Sequence, residues 1–322
     1  MRDRPVTIPV TRACSTWSTL GPGPGEVQRI ILNIVKRCFT GRVDLSPAQL
    51  ATLVAIADHG SFEAAAQRLH ITPSAVSQRV RALENAVGRV LVGRGSPCTP
   101  TEAGTALVRL GRQLELVFAE ALTDDGPTDL ALAVNADSLA TWFRPVLAEV
   151  AAWGDVALKL RVEDEGHSHD LLRRGEVVGA ITSDPAPVQG CSVTPLGTMH
   201  YLPVAHPRLL DRFGGRPDRA ALPMVVFNSK DRLQHEELRR HTDAEPRVVH
   251  EVPSSDDFRA AIEAGLGWGL LPRDQATAGI EAGALARLGR STTRVALYWQ
   301  RWKLDSPLLD RISERLRQHA PR

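Results

Sequence analysis

Ser74, Ser77, Gln78, Arg81 and Asn85 recur at short intervals that place them on one face of a helix. Hydroxyls, amides and a guanidinium, with no carboxylate among them, make a surface suited to nucleic acid. Glutamine can bond adenine twice, arginine can do the same for guanine, and serine reaches phosphates or base edges. Val76, Val80, Leu83 and Val87 fall on the other face and supply an apolar side to bury. A helix start at Thr72-Pro73 adds free backbone N–H groups that suit phosphate. The bland alternative is a solvated helix face, and the flanking sequence argues against it.

Catalytic chemistry finds less support. The chain has no Gly-x-Ser-x-Gly elbow and no Gly-x-x-x-x-Gly-Lys phosphate loop. His167 and His169 sit beside the acidic run Glu163-Asp164-Glu165, but two histidines two residues apart, with no third ligand in register, read as a solvated loop. Gly265–Gly269 precedes a strand, whereas a phosphate cradle joins strand to helix. No enzymatic activity, cofactor or metal is expected.

The elements that must position the polar stripe are legible. Ser46-Pro47 opens a helix carrying Leu50, Leu53, Val54 and Ala57, and His59-Gly60 ends it. Ser61 caps a second helix with Phe62, Ala65, Ala66 and Leu69 inward. Thr72-Pro73 opens the third, which Gly88 ends, so the second and third have the helix-turn-helix layout. Val90–Val92 and Arg94–Thr99 read as a hairpin wing, with Arg94 at the DNA backbone. Thr101 then caps a long helix. Its residues Ala103, Leu107, Leu110, Leu114, Val117 and Ala121 alternate spacings of four and three, a coiled-coil seam. Packing on the chain's own core is the alternative. A dimer seam at Leu107, Leu110, Leu114 and Val117 would set two recognition helices on adjacent turns of a duplex.

Beyond the break at Asp124–Pro127, strands and helices alternate: Leu130–Val134, a helix from Ser138, Val156–Val162, a helix around Asp170–Arg174, and Val178–Ile181. Then come Val193–Leu196, Tyr201–Ala205, Met224–Phe227, a helix from Asp231, Val248–Val252, a helix from Ser255 to Ala264, Trp268–Leu271, and a last helix capped by Ser306-Pro307. The alternation predicts a mostly parallel sheet covered by helices, with ligands at the strand ends.

Composition bounds the rest. The 322 residues suffice for two compact domains and a connector. No apolar run is long enough to span a membrane, and the four cysteines, Cys14, Cys38, Cys98 and Cys191, contain no Cys-x-x-Cys pair. Together these place the chain in a reducing cytoplasm. Seven basic against two acidic residues give segment 1–43 a charge of +5, whereas the whole chain carries only +2. DNA binding would therefore use a small docking surface rather than a global field. The run Gly21–Gly25 alternates glycine and proline, so 1–43 is expected to be a disordered extension, either a basic arm or a tail without function.

Residues Ser46–Ala121 resemble the winged helix-turn-helix and linker helix of LysR-type transcriptional regulators. The resemblance is carried by Gly60-Ser61-Phe62, Ala64–Ala66, Leu69, Thr72–Gln78, Leu83-Glu84, Arg94 and Thr101–Gly104, with Val92 where the family usually has phenylalanine. Residues 128–322 look like the family's effector domain, two α/β lobes similar to periplasmic binding proteins. The fold implied is α+β multidomain: 44–100 winged helix-turn-helix, 101–123 linker helix, 128–322 effector domain. Ala133–Phe143 and the wing's Pro97-Cys98 are similar to the ArgP/LysG branch, whose members sense lysine, arginine or histidine and activate a basic amino acid exporter gene.

The resemblance implies a cytoplasmic homodimer or homotetramer that binds operator DNA and a basic amino acid. Ser61, Thr72, Pro73, Ser74, Ser77, Gln78, Arg81 and Arg94 would meet DNA. An ammonium or guanidinium needs acceptors, and Asn135, Ala136, Asp137, Ser138 and Thr141 follow one strand end. Ser183 and Asp184 follow a second, and Asn228 and Asp231 a third. Such residues also cap helices without any ligand. Two alternatives stay open: a LysR-type regulator of another operon with a different effector, and a sequence-tolerant nucleoid-type binder. A transport solute-binding protein would need an export signal and no helix-turn-helix.

Overall fold

The computed structural model describes residues 45–93, 95–122, 126–162, 168–215 and 218–322. The predicted extension 1–43, Arg94 and the acidic run with His167 lie outside the described residues.

Three short helices come first. In α1, Pro47–His59, Ser46 and Gln49 form a reciprocal capping box: Ser46 Oγ accepts from Gln49 N and Gln49 Oε1 from Ser46 N. Gly60 ends it in the left-handed conformation. Ser61 caps α2, Phe62–Arg68, and Thr72 caps α3, Pro73–Val87, which Gly88 terminates. Leu53, Ile56, Ala65, Val76 and Leu83 meet in one core. Two-residue strands β1, Val92–Gly93, and β2, Thr99–Pro100, pair antiparallel and form the wing, which is shorter than the hairpin expected.

The long helix α4, Glu102–Leu122, starts where Thr101 Oγ1 accepts from Gly104 N at 3.1 Å. It lies close against α1, because a Cβ on Gly111 would come within 2.7 Å of Val54 Cγ2. This contact corrects part of the predicted seam. Leu107 is 1% exposed inside the chain's own core, with Leu110 and Leu114 packed partly against it. The face α4 leaves open lies further along, at Val117, Phe118 and Leu122.

The remainder is built on a seven-stranded sheet. Its strands and flanking helices run β3 Thr128–Val134, α5 Ala136–Ala140, α6 Arg144–Ala151, β4 Val156–Val162, α7 Ser168–Arg174 and β5 Gly179–Thr182. Next are β6 Cys191–Ala205, α8 Pro207–Arg212, β7 Met224–Val226, α9 Leu233–Arg239, β8 Val249–Glu251 and α10 Ser255–Glu263. The chain closes with β9 Gly269–Pro272, α11 Arg273–Glu281, β10 Ala286–Arg287, β11 Thr293–Trp302 and α12 Pro307–His319. Strand order is β10-β6-β11-β5-β3-β4, with β9 also on β6, and β7 pairs with β8 in a small parallel sheet.

The expectation of a mostly parallel sheet is corrected. Only β3–β4 and β3–β5 pair parallel in the large sheet, while β6 and β11 run antiparallel to their neighbours. β6 also joins the two strands expected at 193–196 and 201–205 into one, and a register shift between Leu297 and Tyr298 absorbs the irregularity on its partner. β11 has no counterpart in the sequence reading. It is nevertheless the spine of the core, with Leu297, Trp299 and Trp302 at or below 2% exposed. The helix expected from Ser138 is divided into α5 and α6.

Two lobes result. One core gathers Leu130, Leu132, Phe143, Leu172, Trp299 and Ile312. On the other side, Leu209, Met224 and Trp268 form one cluster and Val204, Phe258 and Ile262 another. β6 contributes Met199 and Tyr201 to the first and Leu202 and Val204 to the second, so it is the spine shared by both lobes. Among the described residues, no helix is long and apolar enough to cross a membrane.

Candidate DNA interface and ligand cleft

The polar stripe of α3 faces outward as its spacing predicts. Ser74, Gln78, Arg81 and Asn85 are exposed and Ser77 half-buried, while Val76, Val80 and Leu83 are 0%, 4% and 0% exposed. Thr72 and Pro73 are exposed at the helix start, where Thr72 Oγ1 accepts from Ala75 N and lies 2.9 Å from Ser74 Oγ. Ser61 is half-buried, its hydroxyl capping α2 through Ala64 N. The nearby acid is removed from this face: Glu84 Oε1 accepts from Leu91 N at 2.8 Å and ties α3 to the wing. Asp58 at the end of α1 is paired with Arg112 of α4. The surface that remains offers donors and a cation, as phosphate and base edges require.

In the larger half, parallel pairing of β3 with β5 brings their carboxyl ends to the same sheet edge. Asn135 and Ser138 from one strand end and Thr182, Ser183 and Asp184 from the other gather there. Asn135 caps α5, accepting from Ser138 N at 2.8 Å, and buried Ser138 accepts from Trp142 Nε1 at 2.9 Å. Thr141 Oγ1 donates to Asp137 O. Ala136 is the first residue of α5. Asp184 Oδ1 accepts from Ala186 N at 2.8 Å, and Thr182 Oγ1 from Asp184 N at 3.1 Å.

Asn228 and Asp231 sit in the other lobe after β7. Asn228 Oδ1 accepts from Lys230 N and Asp231 N, and Asp231 accepts from Phe227 N and Leu233 N. Both residues build the turn that starts α9, the capping use that such residues serve without a ligand. The lobes meet at Asp137, whose Oδ1 lies 3.5 Å from Ser255 Oγ of α10, and at Arg144–Asp256, 3.8 Å.

His169 requires a correction. It lies on α7 and not in a solvated loop; its Nε2 is 2.9 Å from Gln300 Nε2 and its Nδ1 3.5 Å from Asp184 Oδ2. Among the described residues, no group of three or more histidine, cysteine or acidic side chains could hold a metal. Sequence reasoning also missed Ser255 and Gln300. Ser255 had no signal beyond its place at a helix start, and Gln300 lies on the strand that went unread.

The family described as bacterial regulatory helix-turn-helix protein, lysR family, matches residues 47–105, and the LysR substrate binding domain matches 124–321. A lysine export transcriptional regulatory protein, LysG, from Corynebacterium efficiens is 48% identical over 280 residues, covering 84% of this chain and 96% of the relative. The solved structure of full-length LysG from Corynebacterium glutamicum with bound effector Arg matches with TM-score 0.74 and 47% identity, covering 85% of this chain and 98% of that one. The crystal structure of ArgP from Mycobacterium tuberculosis matches with TM-score 0.80 and 44% identity, covering 86% and 97%.

Proposed function

The chain belongs to the LysR family of bacterial helix-turn-helix regulators, and from that premise we propose that it senses a basic amino acid (lysine, arginine or histidine) and activates the gene of an exporter for such amino acids. The observation that carries the reading is the pairing of two surfaces in one chain. One is a cation-and-amide stripe on α3. The other is a sheet edge where Asn135, Asp137, Ser138, Ser183 and Asp184 collect acceptors. Carboxylates there suit the cationic side chain, while hydroxyls and helix-start N–H groups suit the ligand's own carboxylate. The relative solved with bound arginine supports the ligand class.

In this reading Thr72, Pro73, Ser74, Ser77, Gln78, Arg81, Arg94 and Ser61 form the DNA face. Two protomers associate through the open face of α4 at Val117, Phe118 and Leu122. Effector stabilises one lobe arrangement over another, because a ligand with equal affinity for both would shift nothing. The α4 helices then alter the spacing of the two DNA-binding units.

Isothermal calorimetry of the full chain with lysine, arginine and histidine tests the proposal, using Asp137→Asn as the site variant. Heat with at least one of the three, reduced in the variant, is the expected result. Absence of both heat and thermal shift with all three refutes the effector reading and leaves a DNA binder of another kind.

A further inference from the structure

Between β5 and β6 the chain is exposed from Asp184 to Gly190, apart from buried Val188. Gln300, fully buried on β11, holds the first half of this stretch. Its Nε2 lies 2.8 Å from Ala186 O, 3.1 Å from Asp184 O and 2.9 Å from His169 Nε2, and its Oε1 accepts from Val188 N at 3.0 Å. The two N–H groups and the oxygen of a single amide are thus directed at the segment that bears Asp184 and at the histidine facing Asp184.

The far end of the same segment is gripped from α4. Arg109 Nη1 donates to Gln189 O at 2.7 Å, Nη2 lies 3.5 Å from Cys191 Sγ, and the guanidinium carbon is 5.9 Å from the centre of the Trp302 ring. Glycines make the notch for it. A Cβ on Gly175 would come within 3.0 Å of Arg109 Cα, one on Gly190 within 3.0 Å of Arg109 Nη2, and both residues have positive φ. One helical turn on, Arg112 donates to Arg174 O at 3.2 Å and pairs with Asp58 at the end of α1. Next to this joint lies a cavity of about 900 Å³ lined by α1 and α4 on one side and β3, β4 and α7 on the other.

The geometry points to segment 184–191 as the element that carries effector occupancy from the cleft to α4, with Gln300 and Arg109 as its positioning residues. The inference rests on the effector reading above. A ligand engaging Ser183 and Asp184 redirects the Asp184 carboxylate. Because Gln300 fixes three points along the segment, the displacement arrives at Gln189 instead of dissipating in a loop. Arg109 receives it, and Arg112 and Asp58 pass it to α1, whose end leads through Ser61 into α2 and α3. The requirement for coupling is one physical element whose arrangement both sites bias.

The test measures coupling apart from binding. Full-length wild type, Arg109→Met and Arg109→Lys are titrated with a duplex selected by the wild-type protein from a random-sequence pool, with and without saturating arginine. Arginine Kd is measured separately by calorimetry. In the wild type, arginine should change duplex affinity by roughly 5-fold or more, and duplex should change arginine affinity by the same factor. In Arg109→Met that factor should fall below about 2, with arginine Kd and effector-free duplex Kd each within about threefold of wild type. Arg109→Lys, which keeps charge and one donor group, should lie between. Gln300→Met should weaken arginine binding about tenfold, since it leaves the buried Val188 N–H unpaired and releases the Asp184 segment; arginine binding equal to wild type overturns the positioning role of Gln300. A wild-type coupling factor in Arg109→Met overturns the inference and leaves the effector reading standing. Equal loss of binding and coupling also overturns it, because that marks Arg109 as merely structural. A wild type that binds none of the basic amino acids overturns the effector reading itself. Hydrogen exchange on the wild-type chain needs no variant: arginine should protect 184–191 and 106–113 together, and protection of the first without the second overturns the inference.

Discussion

Glu237 on α9 has no exposed side-chain surface, and replacing it with glutamine should lower stability in a pH-dependent way. Its carboxylate accepts from Arg219 at 2.5 Å, Ser291 Oγ at 2.5 Å, Thr293 Oγ1 at 2.9 Å and Arg240 at 3.0 Å, and lies 3.1 Å from His241 Nε2. Burial alone would raise its pKa, but the hydrogen bonds from Ser291, Arg219, Thr293 and His241 prevail and hold it at about 2, against an ordinary 4.5. A folded-state pKa below the unfolded one stabilises the fold at pH above about 4.5, and that contribution drains away as pH falls toward about 2. The difference is worth about 3 kcal/mol at neutral pH. Glu237→Gln removes it and leaves the Arg219 guanidinium, 11% exposed, without its counter-charge. At roughly 2–4 °C per kcal/mol, the melting temperature at pH 7 should drop by about 6–12 °C. Circular dichroism melts of both proteins between pH 7 and pH 3 provide the assay. The gap should be widest at pH 7 and narrow below pH 4.5 as the wild-type carboxylate protonates. Melts that coincide at pH 7, or a gap that stays constant with pH, would falsify the reasoning.

The other predictions concern the interfaces. Arg81→Ala should leave the melt unchanged, because Arg81 is exposed and has no ion pair among the described residues. It should reduce the salt slope of duplex binding by about 0.9, or relax one base position by about 1–3 kcal/mol; an unaltered gel-shift titration removes it from the interface. Gly104→Ala places a Cβ 2.0 Å from Leu91 O, where α4 crosses the wing. It should cost about 1–3 kcal/mol and weaken duplex binding, and a melt equal to wild type contradicts the packing described. Phe118→Ser, at a side chain 44% exposed on α4, should shift sedimentation toward the monomer without lowering the monomer's melt. An unchanged sedimentation profile would move the subunit interface elsewhere.

What could be read from sequence tracks how local the determining physics is. Ser46-Pro47, Ser61, Thr72-Pro73 and Gly88 act within one helical turn, so helix ends and the outward face of Gln78 and Arg81 followed from spacing. The burial of Leu107 did not. A four-three repeat fits a partner helix and the chain's own α1 equally well, and only the close approach at Gly111 selects between them. The strand ends carrying Asn135 and Asp184 were visible as polar residues after apolar runs. Their meeting at one edge depended on β3 pairing with β5, a contact between residues far apart in sequence.

By itself the sequence determined the α3 stripe and the caps, because each depends on periodicity or on a side chain bonding its neighbours. The tertiary structure alone decided that β11 runs antiparallel through the core, that Gln300 clips the Asp184 segment and that Arg109 reaches Gln189. Those contacts join residues separated by scores of positions, and no local propensity encodes which distant backbone a buried amide or guanidinium will find.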